Sequence, residues 1–151
     1  MKLPSISSLP VRGLVILFLI GGIAAASATG RGDIVVVASQ RAPLKEISER
    51  DLRRIFLGIV PESAPAGTRA LFNDSDPDVS ARFLRSYLFM TASHYRRLVL
   101  ARRYSSGQRP LERAASTHVV ARRLQGDPAL VTFLPRKQLD EVAGVKEIAV
   151  K

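Results

Sequence analysis

Residues 48–58 read Ser-Glu-Arg-Asp-Leu-Arg-Arg-Ile-Phe-Leu-Gly, and this stretch specifies a helix together with both of its ends. The Ser48 hydroxyl can accept from an N–H of the first turn, and Asp51 completes an imperfect capping box whose charge suits the positive helix end. Gly58 suits the left-handed residue that ends many helices. The stretch therefore predicts an amphipathic helix packed on a sheet, with an apolar face formed by Leu52, Ile55 and Phe56.

Apolar, β-branched runs on both sides of this helix predict the strands of that sheet. Asp33–Ala38 is continuous and apolar, which favours a strand buried on both faces, as in a parallel sheet. Three further strands are predicted at Arg69–Phe72, Ala129–Leu134 and Val145–Val150.

Four more helices are predicted between and after these strands. The best marked begins at Pro77 after an Asp76 cap and runs to about Phe89. The other three begin at Thr91 or Ser93, at Ser116 or Thr117, and at Pro135. Strands alternating with helices predict an α/β layer fold with a mixed or parallel sheet flanked by helices.

The N-terminus has the order of a secretory signal. Lys2 and Arg12 precede an apolar run, and Ala26-Ser27-Ala28 offers a cleavage site. We therefore predict a signal peptide over residues 1–28, a mature domain over residues 29–151, and a periplasmic or secreted location without a stable membrane span. The alternative is an N-terminal anchor that stays uncleaved.

Composition excludes several classes of function. The formal net charge is +10, which favours acidic or anionic partners. No nucleic-acid-binding motif is present, and an exported chain is not expected to meet nucleic acid. The chain has no cysteine, and its two histidines, His94 and His118, lack ligand-spaced partners, so neither a metal nor another cofactor is predicted. No G-x-S-x-G elbow or thiol nucleophile is present, which favours a protein that is not an enzyme.

The order of these features resembles the short periplasmic proteins related to the phosphate-binding protein of phosphate ABC transporters. The resemblance rests on the V-V-V-A strand (Val35–Ala38), the S-x-x-D-L-R-R-I-F-L-G block (Ser48–Gly58), Gly107-x-x-Pro110, and the segment that begins at Gly126. It implies a lobe of a type 2 periplasmic binding protein, which binds phosphate or a related small oxyanion for transport or sensing.

The resemblance also implies which residues would hold the anion. In that family, hydroxyls, helix N-termini and an arginine donate to the oxyanion. The matching place here is the segment Asn73–Arg82, which we call the 73–82 segment. The implied hydroxyl donors are Ser39, Ser75, Ser80 and Ser106, and the implied charge partners are Arg82 and Arg109.

The same segment departs from the family pattern and supports a second hypothesis. Full members carry Arg-Ser-Gly-Thr, whereas this chain reads Asn-Asp-Ser-Asp-Pro-Asp-Val-Ser-Ala-Arg. Three carboxylates at Asp74, Asp76 and Asp78 oppose a phosphate. The alternative is therefore an interaction or accessory protein that keeps the binding-protein fold without ligand binding and works on an envelope protein partner.

Overall fold

The computed structural model describes residues 31–107 and 110–151, which form an α/β fold of seven strands and four α-helices. Short 3₁₀ turns lie at Arg31–Asp33 and Arg136–Gln138. The strands are β1 (Ile34–Ser39), β2 (Glu46–Ile47), β3 (Arg69–Asn73), β4 (Glu112–Ala114), β5 (Leu130–Pro135), β6 (Val145–Glu147) and β7 (Ala149–Val150). The helices are α1 (Glu49–Phe56), α2 (Pro77–Phe83), α3 (Ala92–Ser106) and α4 (Thr117–Gly126).

The main sheet is mixed, with the strand order β4-β3-β5-β1-β6. β3 runs parallel to both β4 and β5, whereas β1 runs antiparallel to both β5 and β6. The predicted fold class is confirmed. The expectation that β1 sits in parallel pairings is wrong, because burial on both faces requires an apolar run whatever the direction of the neighbouring strands. All six β1 residues are buried.

The helix predicted within residues 48–58 has the caps that the sequence specifies. The Ser48 hydroxyl accepts from the Asp51 N–H at 3.1 Å and donates to the Asp51 carboxylate at 2.8 Å. At the other end, Gly58 has φ 80°, its N–H donates to the Ile55 carbonyl, and the Ile59 N–H donates to the Arg54 carbonyl. These two bonds form a Schellman motif, which satisfies carbonyls that the helix leaves unpaired.

Asp51 does more than cap the helix, because it also fixes the loop that follows. The Ser63 hydroxyl donates to its carboxylate at 2.7 Å, and this bond and the one from Ser48 lower the pKa of Asp51. The loop between α1 and β3 is thereby tied to the first turn of α1.

We expect Asp51→Asn to remove part of the acid sensitivity of the fold. Since the folded-state pKa is lowered, the carboxylate stabilises the protein above about pH 4 and loses that effect as the pH falls through the lowered pKa. The substitution should cost about 1 kcal/mol at pH 7 and less at pH 3. Urea unfolding at both pH values measures this, and a loss that is equal at the two values would contradict it.

Two apolar cores lie on opposite faces of the sheet. On one face, α1, α2 and Tyr95 of α3 pack against β-strand side chains, including Phe72 and Phe133. On the other face, Val120 and Leu124 of α4 pack against the alternate residues of β1, β3 and β5. The sheet is therefore a middle layer between helices. Among the described residues, no helix is both long enough and apolar enough to cross a membrane.

Three boundaries differ from the predictions, and the strand boundary differs because its pairing partners lie far away in sequence. The helix predicted to run to Phe89 leaves α-geometry at Leu84, continues as a π-helical turn to Leu88, and stops at Phe89 with φ 56°. The single strand predicted at Val145–Val150 is two strands: β6 pairs with β1, and β7 pairs with β2. The helix predicted to begin at Pro135 is only a 3₁₀ turn followed by further turns.

Candidate functional site

The strands bring the loop after β3 and the loop after β4 to one edge of the sheet. β3 and β4 are parallel, Asn73 is paired with Ala114, and the Asp74 N–H donates to the Ala114 carbonyl at 2.8 Å. β5 is parallel to β3 and ends at this edge too, whereas the antiparallel β1 begins there. We call this the 73/114 edge. Ligands of open α/β folds bind at the carboxyl ends of parallel strands, which makes it the candidate site.

Two helices begin at this edge, on opposite faces of the sheet. α2 follows β3 after three residues, and α4 follows β4 after Ser116. The Ser116 hydroxyl caps α4 by accepting from the Val119 N–H at 3.3 Å. The two N-terminal ends therefore share an edge but not a face, and the sheet lies between them.

A carboxylate of the protein itself occupies the N-terminus of α2. Asp76 accepts from the N–H of Asp78 at 2.8 Å and from the N–H of Val79 at 3.2 Å. These are the donors that a bound oxyanion would use at a helix N-terminus. Pro77 has no N–H and the Ser80 N–H donates to the Asp76 carbonyl, so these two positions add no free donor.

The polar groups of the 73–82 segment hold the loop together. Ser80 is buried, and its hydroxyl lies 2.7 Å from the carbonyl oxygen of Asn73 and 2.9 Å from that of Asp76. The buried Asn73 side chain donates to the Phe133 carbonyl and accepts from the Ser75 N–H, both at 3.0 Å. Ser75 is partly buried beside them. These polar groups shape the loop, and Ser80 has its hydroxyl turned to the backbone.

Three arginines at this edge each face a carboxylate. Arg82, in the last turn of α2, lies 3.7 Å from Asp33. Arg113 is bound by both oxygens of Asp74, with an Nη2–Oδ1 distance of 2.8 Å, and hydrogen bonding to Asp74 raises the pKa of Arg113. Arg136, just after β5, pairs with Glu147 at 2.9 Å, and hydrogen bonding to Glu147 raises its pKa. Each of these arginines therefore has a partly exposed carboxylate of the same protein as its partner.

The structure brings together some of the residues implied by the resemblance and separates others. Ser75, Ser80 and Arg82 lie at the 73/114 edge. Ser39 ends β1 at the opposite edge, level with Arg69, because β1 is antiparallel to β5. At about 3.3 Å per residue, that is about 13 Å along the strands from Asn73. Ser106 is the last residue of α3, with its side chain outside what the structure describes, and Arg109 lies outside the described residues.

Sequence reasoning misses the residues that neutralise this edge. The sequence pattern places Asp33 at the start of a strand and does not single out Arg113. The role of Asp33 depends on the direction of β1, and the role of Arg113 depends on the pairing of β4 with β3. Asp74 and Arg113 are 39 residues apart in the sequence. No local pattern marks such a pair.

The fold is that of the substrate-binding proteins of phosphate ABC transporters, and the resemblance drawn from the sequence is confirmed at that level. Similar solved structures are a putative phosphate transporter substrate-binding protein with bound phosphate from Clostridium perfringens (10% identity, TM-score 0.52), an ABC-type phosphate transport receptor from Vibrio cholerae (12%, 0.53), and PstS from Borrelia burgdorferi (14%, 0.54). These are transport proteins rather than enzymes.

The likeness covers most of this chain but less than half of each of those proteins. The match to the Clostridium perfringens protein covers 78% of this chain and 44% of that protein. The match to the Vibrio cholerae protein covers 78% and 46%, and the match to the Borrelia burgdorferi protein covers 79% and 47%. No protein-family model and no curated protein sequence matches the chain.

Proposed function

We propose that the protein is an exported interaction or accessory protein that keeps the solute-binding fold and has given up phosphate capture. The observation that carries this is the Asp76 carboxylate on the two N–H groups that begin α2. An incoming oxyanion would have to displace this carboxylate or bind beside it. Either route costs free energy, because like charges repel and the displaced carboxylate loses its hydrogen bonds.

The surrounding charges support the same proposal. Arg113 would have to leave both oxygens of Asp74 before it could bind an anion in a fork, and the Asp33 carboxylate, 3.7 Å from Arg82, would repel an anion bound to that arginine.

The second candidate function is the binding of phosphate or a related oxyanion for transport or sensing. It is favoured by the shared fold and by the two helices, α2 and α4, that begin at the 73/114 edge. In this case Asp33 and Asp76 would be displaced when the anion arrives, and Ser75 and Arg82 would contact it.

Calorimetry separates the two functions. In low salt at pH 7, we expect phosphate and sulfate to bind the mature chain more weakly than about 1 mM. Arg82→Gln is the matched variant, and it should behave as the parent does. A micromolar phosphate affinity that Arg82→Gln abolishes would establish the second function instead. Pull-down from envelope extracts tests the interaction role directly, and repeated failure to recover a stoichiometric partner would count against it.

A further inference from the structure

A pocket of about 250 Å³ opens at the 73/114 edge, on the face of the sheet that α2 and α3 cover. Its floor is apolar and contains Phe72, Leu84 and Tyr95. Its rim is polar and contains Asp74, Arg96 and Arg113. An apolar floor with a few polar groups at the mouth is the usual build of a site for a small organic ligand.

The floor of this pocket is held in place by contacts that need no ligand. The rings of Phe72 and Tyr95 stack with centroids 5.1 Å apart and planes 23° apart. The Tyr95 hydroxyl donates to the Phe56 carbonyl at 2.7 Å, and Tyr95 is a buried residue through which α3 contacts the core. A pre-formed floor lowers the entropy that a ligand loses in binding.

The rim carries one positive charge that is not matched. Asp74 is neutralised by Arg113, whose guanidinium also lies 4.9 Å from the centre of the Phe72 ring. Arg96 is exposed on the first turns of α3, and it has no ion pair within the part of the chain that the structure describes. The net charge of Asp74, Arg96 and Arg113 at the mouth is therefore +1. Arg96 is the residue whose guanidinium N–H groups are available to a ligand.

We propose that this pocket binds a carboxylate carried on a small apolar group. The apolar part would lie against Pro77, Ala81 and Ala92, which line the pocket and keep apolar surface exposed above the buried Phe72 and Tyr95 rings. The carboxylate would accept from the Arg96 guanidinium. Phosphate fits less well, because an apolar floor offers it no donors and removes its water. The volume matches a single aromatic or branched group.

Two sources carry this chemistry: a free small acid, and the C-terminal residue of a partner chain. The inference rests on the proposed function in one respect, because both take the 73/114 edge as the binding surface. It adds the chemical class of the ligand, which neither the fold nor the 73–82 segment indicates.

The test is calorimetry at low salt, with phenylacetate and phenylacetamide as the charged and neutral probes. Phenylacetate should bind with a dissociation constant on the order of 0.1–1 mM, and phenylacetamide at least about tenfold more weakly. Arg96→Gln should weaken phenylacetate at least about fivefold. Arg97→Gln is the matched control on the same helix, and since Arg97 does not line the pocket, it should bind as the parent does.

A tripeptide ending in phenylalanine, with a free or an amidated C-terminus, identifies the source. Tighter binding of the free-acid peptide than of phenylacetate assigns the pocket to a partner chain, and the reverse assigns it to a free acid. The proposal is overturned if neither probe binds, if the amide equals the acid, or if Arg97→Gln matches Arg96→Gln. Micromolar phosphate binding that Arg82→Gln abolishes would overturn the proposed function and leave the pocket result untouched, since Arg82 does not line the pocket.

Discussion

Phe56→Ala is expected to lower the free energy of unfolding by about 3–5 kcal/mol. Phe56 is fully buried, and its ring lies 4.7 Å from the Phe83 ring and 5.9 Å from the Phe133 ring, centre to centre. The Phe83 and Phe133 rings are themselves stacked at 3.9 Å. Truncation would open a cavity in this aromatic cluster, which joins α1 and α2 to the sheet. Urea unfolding followed by circular dichroism measures the loss.

Leu100→Ala is the control for this prediction. Leu100 is an apolar residue on a helix too, but it is 49% exposed on α3. Its truncation should change stability by no more than about 0.5 kcal/mol. If Phe56→Ala costs as little as Leu100→Ala, the aromatic cluster does not hold the sheet and α1 together.

Asn73→Asp is expected to cost about 3 kcal/mol or more at pH 7. Asn73 is 1% exposed, and its amide N–H donates to the Phe133 carbonyl. The substitution would set a buried carboxylate against that carbonyl oxygen, although it could still accept from the Ser75 N–H. Burial raises the pKa of the new carboxyl in the folded state. The loss in the free energy of unfolding is therefore largest above that raised pKa. It disappears as the pH falls toward about 4, which is the pKa of the carboxyl in the unfolded chain.

Asn73→Ala separates the effect of charge from the effect of lost hydrogen bonds. It removes both bonds without adding a charge, so we expect a loss of about 2 kcal/mol that does not change between pH 4 and pH 7. Thermal unfolding of the two variants across this range measures the difference. An Asn73→Asp loss that is flat with pH would show that the amide donor, and not buried charge, sets the cost.

Residues 48–58 show which structural features the local sequence can predict. Ser48, Asp51 and Gly58 each take the role that their spacing predicts, because caps depend on atoms within a few residues. The Asp76 cap with Pro77 is correct for the same reason. By contrast, the sequence does not predict β4 or β2. Each is too short to show a periodic pattern, and each is held by a strand distant in sequence.

The candidate site is predictable from the sequence only as a location. The Asn73–Arg82 segment does lie at the carboxyl edge of a parallel pair of strands, as the order of strands and helices indicates. The sequence does not predict which residues form the site. Ser39 could lie beside Ser75 only if β1 ran parallel to its neighbours, and because β1 is antiparallel, the Ser39 hydroxyl lies at the other edge of the sheet.

The sequence by itself therefore determined the helix at residues 49–56, the apolar strands, the α/β class and the likeness to phosphate-binding proteins. Each of these depends on periodicity or on groups a few residues apart. Only the tertiary structure decided that β1 is antiparallel, that Asp33 and Asp74 neutralise Arg82 and Arg113, and that Arg96 stands at the mouth of an apolar pocket. These depend on strand direction and on contacts across tens of residues, which the packing of the whole chain sets.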